Sequence, residues 1–171
     1  MNTVSTETAG ALAETQDQGK QGRSEAMKLI LESIRRTMPV ILGYVPVGFA
    51  YGVLADQAGM AAYNVLLMSI VVFAGSAQLV AVGLFAAGAS PLAVVITTFI
   101  VNLRHMLMSA SLAPHMKHWK KWELAIFAHE LTDESFAIHS LRFAEGDKRK
   151  SVTLGINVTA QVSWVTGSLL G

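Results

Sequence analysis

The chain has 171 residues, of which 52% are hydrophobic and 15% charged, too apolar for an ordinary soluble domain, where charged residues run at roughly 25%. Its net charge of +1 gives no bulk attraction to nucleic acid, and the absence of cysteine excludes disulfides, thiolate catalysis and thiolate metal sites. What remains is a chain with apolar runs long enough to cross a bilayer, which takes about 20 residues of helix.

Residues 1–26 are polar and lack the apolar core of a cleavable signal, so they are expected to form a disordered cytoplasmic tail ahead of a membrane domain over 27–171. Met27 to Arg36, "MKLILESIRR", has apolar residues at helical spacing with basic ones between them. It fits a short helix at the membrane surface or an extension of the first span. That span is expected over about Pro39 to Leu54, with Pro39 in the first turn, where its missing N–H is harmless, and a kink at Pro46. Gly48 and Gly52 form a GxxxG pair that lets another helix approach closely.

The second apolar stretch, Ala61 to Gly88, is longer than one crossing needs, and "AGSAQ" (Ala74 to Gln78) interrupts its centre. The third, Pro91 to Ala113, carries an arginine and a histidine among apolar residues. A basic loop, "PHMKHWKKW", follows, with Trp119 and Trp122 placed for the headgroup level. The fourth stretch, Glu123 to Ala144, is apolar at both ends and holds "HELTDES" in its middle. The fifth, Ser151 to Gly171, reaches the last residue with no polar flank, and further helices are expected beyond it.

Lysine and arginine mark the cytoplasmic side of a membrane. They cluster before the first span, at 117–121 and at 142–150, and the connections 56–62 and 88–91 have none. If all five stretches cross once, Lys117, Lys120 and Lys121 face outward. If the second and fourth enter and return to their own side, every cluster is cytoplasmic and both interruptions fall at turning points. The expected fold is therefore an all-α integral membrane protein, a helical bundle with two broken or re-entrant elements. Span plus broken element, repeated in the opposite sense, would make an inverted repeat. The alternative is five plain crossings with one misplaced basic loop.

Taken as a helix, the third stretch puts Thr97, Thr98, Asn102, Arg104, His105, Met108, Ser109 and Ser111 on one half of its surface. Ile96, Phe99, Ile100, Leu103, Met106, Leu107 and Ala110 fill the other. An arginine at mid-span costs about 2.5–3.5 kcal/mol on insertion scales, so Arg104 needs a cavity, a carboxylate or an anionic ligand. Two readings follow: it pins helices together through Asp133 or Glu134, or its planar fork holds a substrate carboxylate. A break near Ser76 and Gln78 would expose backbone N–H groups that attract the same anion. Asp133 and Glu134 suit an ammonium group or a proton, and His105 a proton relay. His129, Glu130 and Asp133 raise the question of a metal, but "HELTD" lacks the second histidine of HExxH, and no metal or cofactor is expected.

Three strings carry a resemblance: "GSAQLVA" at 75–81, "NLRHMLMSASLAP" at 102–114 and "LTDESFA" at 131–137. Together they resemble the AzlC-like branched-chain amino-acid permeases, the large subunit of two-component amino-acid exporters, from about Met38 onward. The family often has tyrosine where this chain has Met108. The resemblance implies export of leucine, isoleucine, valine and sometimes methionine, a small AzlD-like membrane subunit as partner, and a bacterial inner-membrane location; the basic residues before the first span put the expected N-terminus in the cytoplasm. On the matching positions, Ser76, Gln78, Asn102, Arg104, Asp133 and Glu134 are the substrate-binding candidates, and His105, Asp133 and Glu134 the proton-relay candidates. The expected function is a proton-coupled secondary transporter rather than an enzyme. The rivals are a membrane-embedded hydrolase built on His129, Glu130 and Asp133, and a non-transporting assembly or sensor subunit.

Overall fold

Long apolar runs with few breakers favour helix, and the computed structural model of the chain contains no strand among the described residues. It describes the backbone of residues 3–171 and the side chains of residues 22–171; of the tail expected over 1–26, most side chains lie outside the described residues, while the backbone of 3–26 is helical and belongs to the first helix. The helices are α1 (Thr3–Gln57), α2 (Ala62–Leu67, continued as a π-helix over Met68–Val72), α3 (Gly75–Ala86) and α4 (Pro91–Leu112, continued as a 3₁₀ turn over Ala113–Met116). Then come α5 (Lys121–His129), α6 (Asp133–Ala144) and α7 (Lys150–Leu170). Two helical segments, Gly22–Gln57 and Pro91–Met116, are long and apolar enough to cross a membrane. α7 has 21 residues, about 31 Å at 1.5 Å per residue, but carries a polar seam.

α1 does not begin at Pro39: it passes through Pro39 and Pro46 unbroken. Residues 27–36 are therefore an extension of the span rather than a separate surface helix. An Arg36–Glu32 ion pair at 3.0 Å, one turn apart, supports helix on the near side of Pro39. Membrane helices tolerate proline because neighbouring helices and side chains re-satisfy the freed carbonyl.

α1 and α7 pack side by side and run in the same direction. Ser33 lies against Gly155, Gly48 against Trp164, and Gly52 against Ser168. A Cβ on Gly48 would come within 2.9 Å of the Trp164 carbonyl oxygen, and one on Gly167 within 2.6 Å of that of Val45. The expected close approach at the GxxxG pair is made, and α7 makes it. Around this seam lies one apolar core, with Val40, Tyr44, Tyr51, Phe73, Val82 and Trp164 among its members. A second core (Leu112, Met116, Trp119, Phe127, Leu131, Phe143) fills the space between the end of α4 and α5–α6.

Contacts at the two ends fix the topology. At one end Arg149 donates from Nη1 to Glu32 at 2.9 Å, and Asp147 pairs with Arg142 at 3.2 Å and with Arg149 at 2.9 Å. Lys150 binds Glu123, at the start of α5, and lies 5.4 Å from the ring centre of Trp119, in the loop after α4. The starts of α5 and α7 and the ends of α4 and α6 thus meet at this basic end. The bond from Arg149, helped by the charge of Arg142, holds the Asp147 carboxyl well below the usual range, so the cluster stays charged far into acid. At the far end Asp56 of α1, Ala62 and Val65 of α2, Leu169 of α7 and Gly171 just after it surround a small cavity. α4 ends at the basic end, so its start, and the end of α3 joined to it by a short loop, lie at the far end. The segment 61–88 therefore enters and leaves at the far end, and 123–144 at the basic end. This is the double re-entrant arrangement that puts every basic cluster on one side, rather than the five plain crossings that were its alternative. α1 with its broken hairpin is followed by α4 with a second one in the opposite sense.

Candidate functional site

Each hairpin breaks near its middle. In the first, the π-helix ends at Phe73, which has φ 40° and ψ 49°, a left-handed conformation rare for a residue with a bulky side chain. Irregular backbone at membrane depth persists only where its polar groups find partners. The freed carbonyl of Ile70 accepts from His129 Nε2 and from Gln161 Nε2, both at 3.2 Å. In the second hairpin, Thr132 caps α6: its hydroxyl accepts from the Ser135 N–H at 3.3 Å, and its own N–H donates to Ser135 Oγ at 2.9 Å. The His129 contact joins the tips of the two hairpins.

Both breaks open on one cavity of about 320 Å³, at the small end of the range for small-molecule sites. Ala74, Gly75 and Ser76 line it at the start of α3, and Thr132, Asp133 and Glu134 at the start of α6. These two helix N-termini are provided for differently. No side chain caps α3, so its first N–H groups and the positive end of its dipole are free for an anion. α6 is capped by Thr132 and carries two acids in its first turn.

Arg104 of α4 bridges the two. Its Nη1 lies 2.7 Å from Asp133 Oδ2, and its Nη2 donates to Ser76 Oγ at 2.5 Å. Nε is buried and unpaired. The side chains of Arg104 and Asp133 are 39% and 46% exposed, so the pair can open without leaving a sealed charge behind. Tyr44 of α1 donates to Glu134 Oε2 at 2.5 Å. Its single proton being so used, it accepts from the Thr132 hydroxyl at 2.7 Å. Val40, Val47, Phe73, Leu79 and Trp164 supply an apolar wall, with His105 beside Arg104.

Of the candidate residues, Ser76, Arg104, His105, Asp133 and Glu134 come together in this wall. Gln78 and Asn102 do not. Gln78 is fully buried on the other side of α3 and donates to Ser69 Oγ at 3.3 Å. Asn102 is outside the wall, with its Oδ1 buried and unpaired. Each is two residues from a wall residue, and two residues turn a helix by about 200°. Met108 packs against the second core, so the hydroxyl missing there is missing outside the cavity. His129 and Glu130 are also outside the wall, away from the Asp133 pair. Among the described residues no cluster of three or more His, Asp or Glu side chains could hold a metal ion.

Tyr44, Thr132 and Trp164 were not singled out from the sequence. For Tyr44 a signal exists: a phenol inside an apolar span must find a hydrogen-bond partner.

Comparison with known proteins adds the following. The family described as AzlC protein matches residues 39–171. An uncharacterized membrane protein of Helicobacter pylori is 35% identical over 148 residues, 86% of this chain and 64% of its own length. The inner membrane protein YgaZ of Escherichia coli is 30% identical over 144 residues, 82% of this chain and 59% of its own. The branched-chain amino acid transport protein AzlC of Bacillus subtilis is 25% identical over 150 residues, 87% of this chain and 59% of its own. The chain thus spans less than two thirds of the length of these relatives. No solved structure matches it.

Proposed function

We propose that this chain, which belongs to the AzlC family, is the core of a secondary transporter that exports aliphatic amino acids across the bacterial inner membrane. The observation that carries the reading is the cavity at the two breaks, where a guanidinium paired with one of two carboxylates, a free helix N-terminus and an apolar wall meet. A zwitterion matches that layout. Its carboxylate takes the first N–H groups of α3 and the fork of Arg104. Its ammonium group takes Asp133 or Glu134. A branched aliphatic side chain fits against Val40, Val47, Leu79 and Trp164, in a volume too small for a large solute. The name of the Bacillus subtilis relative agrees with leucine, isoleucine and valine as substrates.

The Arg104–Asp133 pair then serves as a switch. A substrate carboxylate displaces Asp133 from the guanidinium, and the released acid is free to take the ammonium group or a proton. Glu134, held by Tyr44, is the second acceptor, and His105 lies within the same wall to pass a proton on. Proton coupling, a cytoplasmic N-terminus and a small AzlD-like membrane subunit complete the proposal. The basic end supports the orientation, because lysine and arginine favour the cytoplasmic side.

Cells loaded with leucine from a leucine dipeptide test the direction. Cells expressing the full-length protein and its small partner should release leucine faster than cells without them. Equal release from both would contradict export.

A further inference from the structure

The mechanism above leaves one buried polar pair unused. His139 of α6 and Asn157 of α7 are both fully buried, and His139 Nε2 lies 2.7 Å from Asn157 Oδ1. An amide oxygen can only accept, so His139 donates from Nε2 and keeps its lone pair on Nδ1. That Nδ1, and the Nδ2 of Asn157, are buried and have no partner. Unpaired polar atoms are costly to bury, and a packing role alone would be filled better by apolar side chains.

The place of the pair suggests its use. Ser135, one turn back on α6, bonds Thr132; Thr132 bonds Tyr44; Tyr44 bonds Glu134 in the cavity. In the other direction along the same face of α6, Arg142 is buried, donates to Thr153 of α7 at 3.2 Å and pairs with Asp147 at the basic end. Polar side chains therefore recur along α6 from the basic end to Glu134, against α7 at Arg142 and His139 and against α1 at Thr132 and Glu134, with His139 midway and able to take up a proton. Arg142 is the charged group that faces it from its own helix. Phe127 of α5 and Phe143 of α6 meet its ring, and Asn157 faces it from α7.

We infer that His139, oriented by Asn157, is a proton-relay residue on the route between the basic end and Glu134. It takes up a proton at Nδ1 to form imidazolium and gives the proton back from Nδ1, while the Nε2 proton stays on Nε2, donated to Asn157 Oδ1. No bond other than N–H changes. The inference rests on the transport reading.

The full-length protein in proteoliposomes tests it with two assays. Leucine counterflow at equal pH moves no net proton, whereas leucine accumulation driven by an imposed pH gradient does. His139→Gln keeps a side-chain donor but cannot carry a proton. It should lower gradient-driven accumulation by roughly tenfold or more, as loss of a proton-transfer group does, and leave counterflow unchanged. Retained stabilisation of the variant by leucine in a thermal melt would show that the fold and the cavity are intact. Equal loss in both assays would make His139 a packing residue, and loss in neither a bystander; either overturns the relay. A wild-type protein that exchanges leucine but ignores the gradient also overturns it, leaving the substrate reading standing. A wild-type protein that exchanges no aliphatic amino acid sinks the substrate reading itself.

Discussion

Arg104→Lys should lower the rate of leucine exchange by about ten- to a hundredfold while the protein still inserts normally. Lysine keeps the charge, so the cost of placing a cation at this depth is little changed. What it loses is the fork. Arg104 reaches Ser76 with one arm and Asp133 with the other, and so ties the N-termini of α3 and α6, the second arms of the two hairpins, to α4. A single ammonium cannot span both while also presenting two parallel donors to a carboxylate. Hydrogen bonds to charged groups contribute about 1.5–3 kcal/mol each, and each 1.4 kcal/mol is a factor of about ten, which gives the stated range. Initial rates in proteoliposomes, normalised to inserted protein, check it. A wild-type rate would reduce Arg104 to a structural pin.

Asp133→Asn should act in the opposite sense on binding. It removes the carboxylate that competes with the substrate for the guanidinium. Leucine should then bind about tenfold more tightly, because one charge-assisted bond is no longer contested. Turnover should fall, because the anion that pairs with Arg104 and displaces the substrate from it is gone, while Glu134 is held by Tyr44. The pH dependence of exchange should also change, since one of the two acids in the wall has lost its proton site. Binding is read from the leucine-induced shift in melting temperature and turnover from exchange across neutral pH. Unchanged affinity together with an unchanged pH profile would remove Asp133 from the site.

Much of the architecture was legible because lipid leaves few choices. Backbone polar groups must be satisfied inside the bilayer, so apolar runs become helices and breaks become conspicuous. "AGSAQ" and "HELTDES" lie at or beside the two observed breaks, and the basic clusters at 117–121 and 142–150 raised hairpins as an even rival to plain crossings. The lipid face of α4 was legible too: Ile96, Phe99, Ile100, Leu103, Met106 and Leu107 are all exposed.

Two things were not legible. The sequence left open whether 27–36 extends the first span, because Pro39 looks like a first-turn proline, whereas the Glu32–Arg36 pair and the packing of Ser33 against Gly155 carry helix through it. The site's outline was blurred because half a helix surface is too coarse a division to separate Asn102 from Arg104, two residues or about 200° apart, and because Gln78 was chosen for its polarity alone. Gln78 and Asn102 are polar but face away from the residues that meet at the cavity. Tyr44 and Trp164 were hidden for a different reason. Aromatic residues in an apolar span look like core, and only the tertiary fold brings the Tyr44 hydroxyl onto Glu134, 90 residues away.

The most direct test is whether an amino acid enters this cavity. Gly43 lines it, and a Cβ added there meets nothing within 4 Å, so a cysteine fits. The 171 residues contain no native cysteine to interfere. In the full-length protein carrying Gly43→Cys as its single cysteine, leucine should slow alkylation by a small water-soluble reagent, while lysine and glutamate should not. Alkylation that proceeds at the same rate with and without leucine, at concentrations that support exchange, would contradict the site.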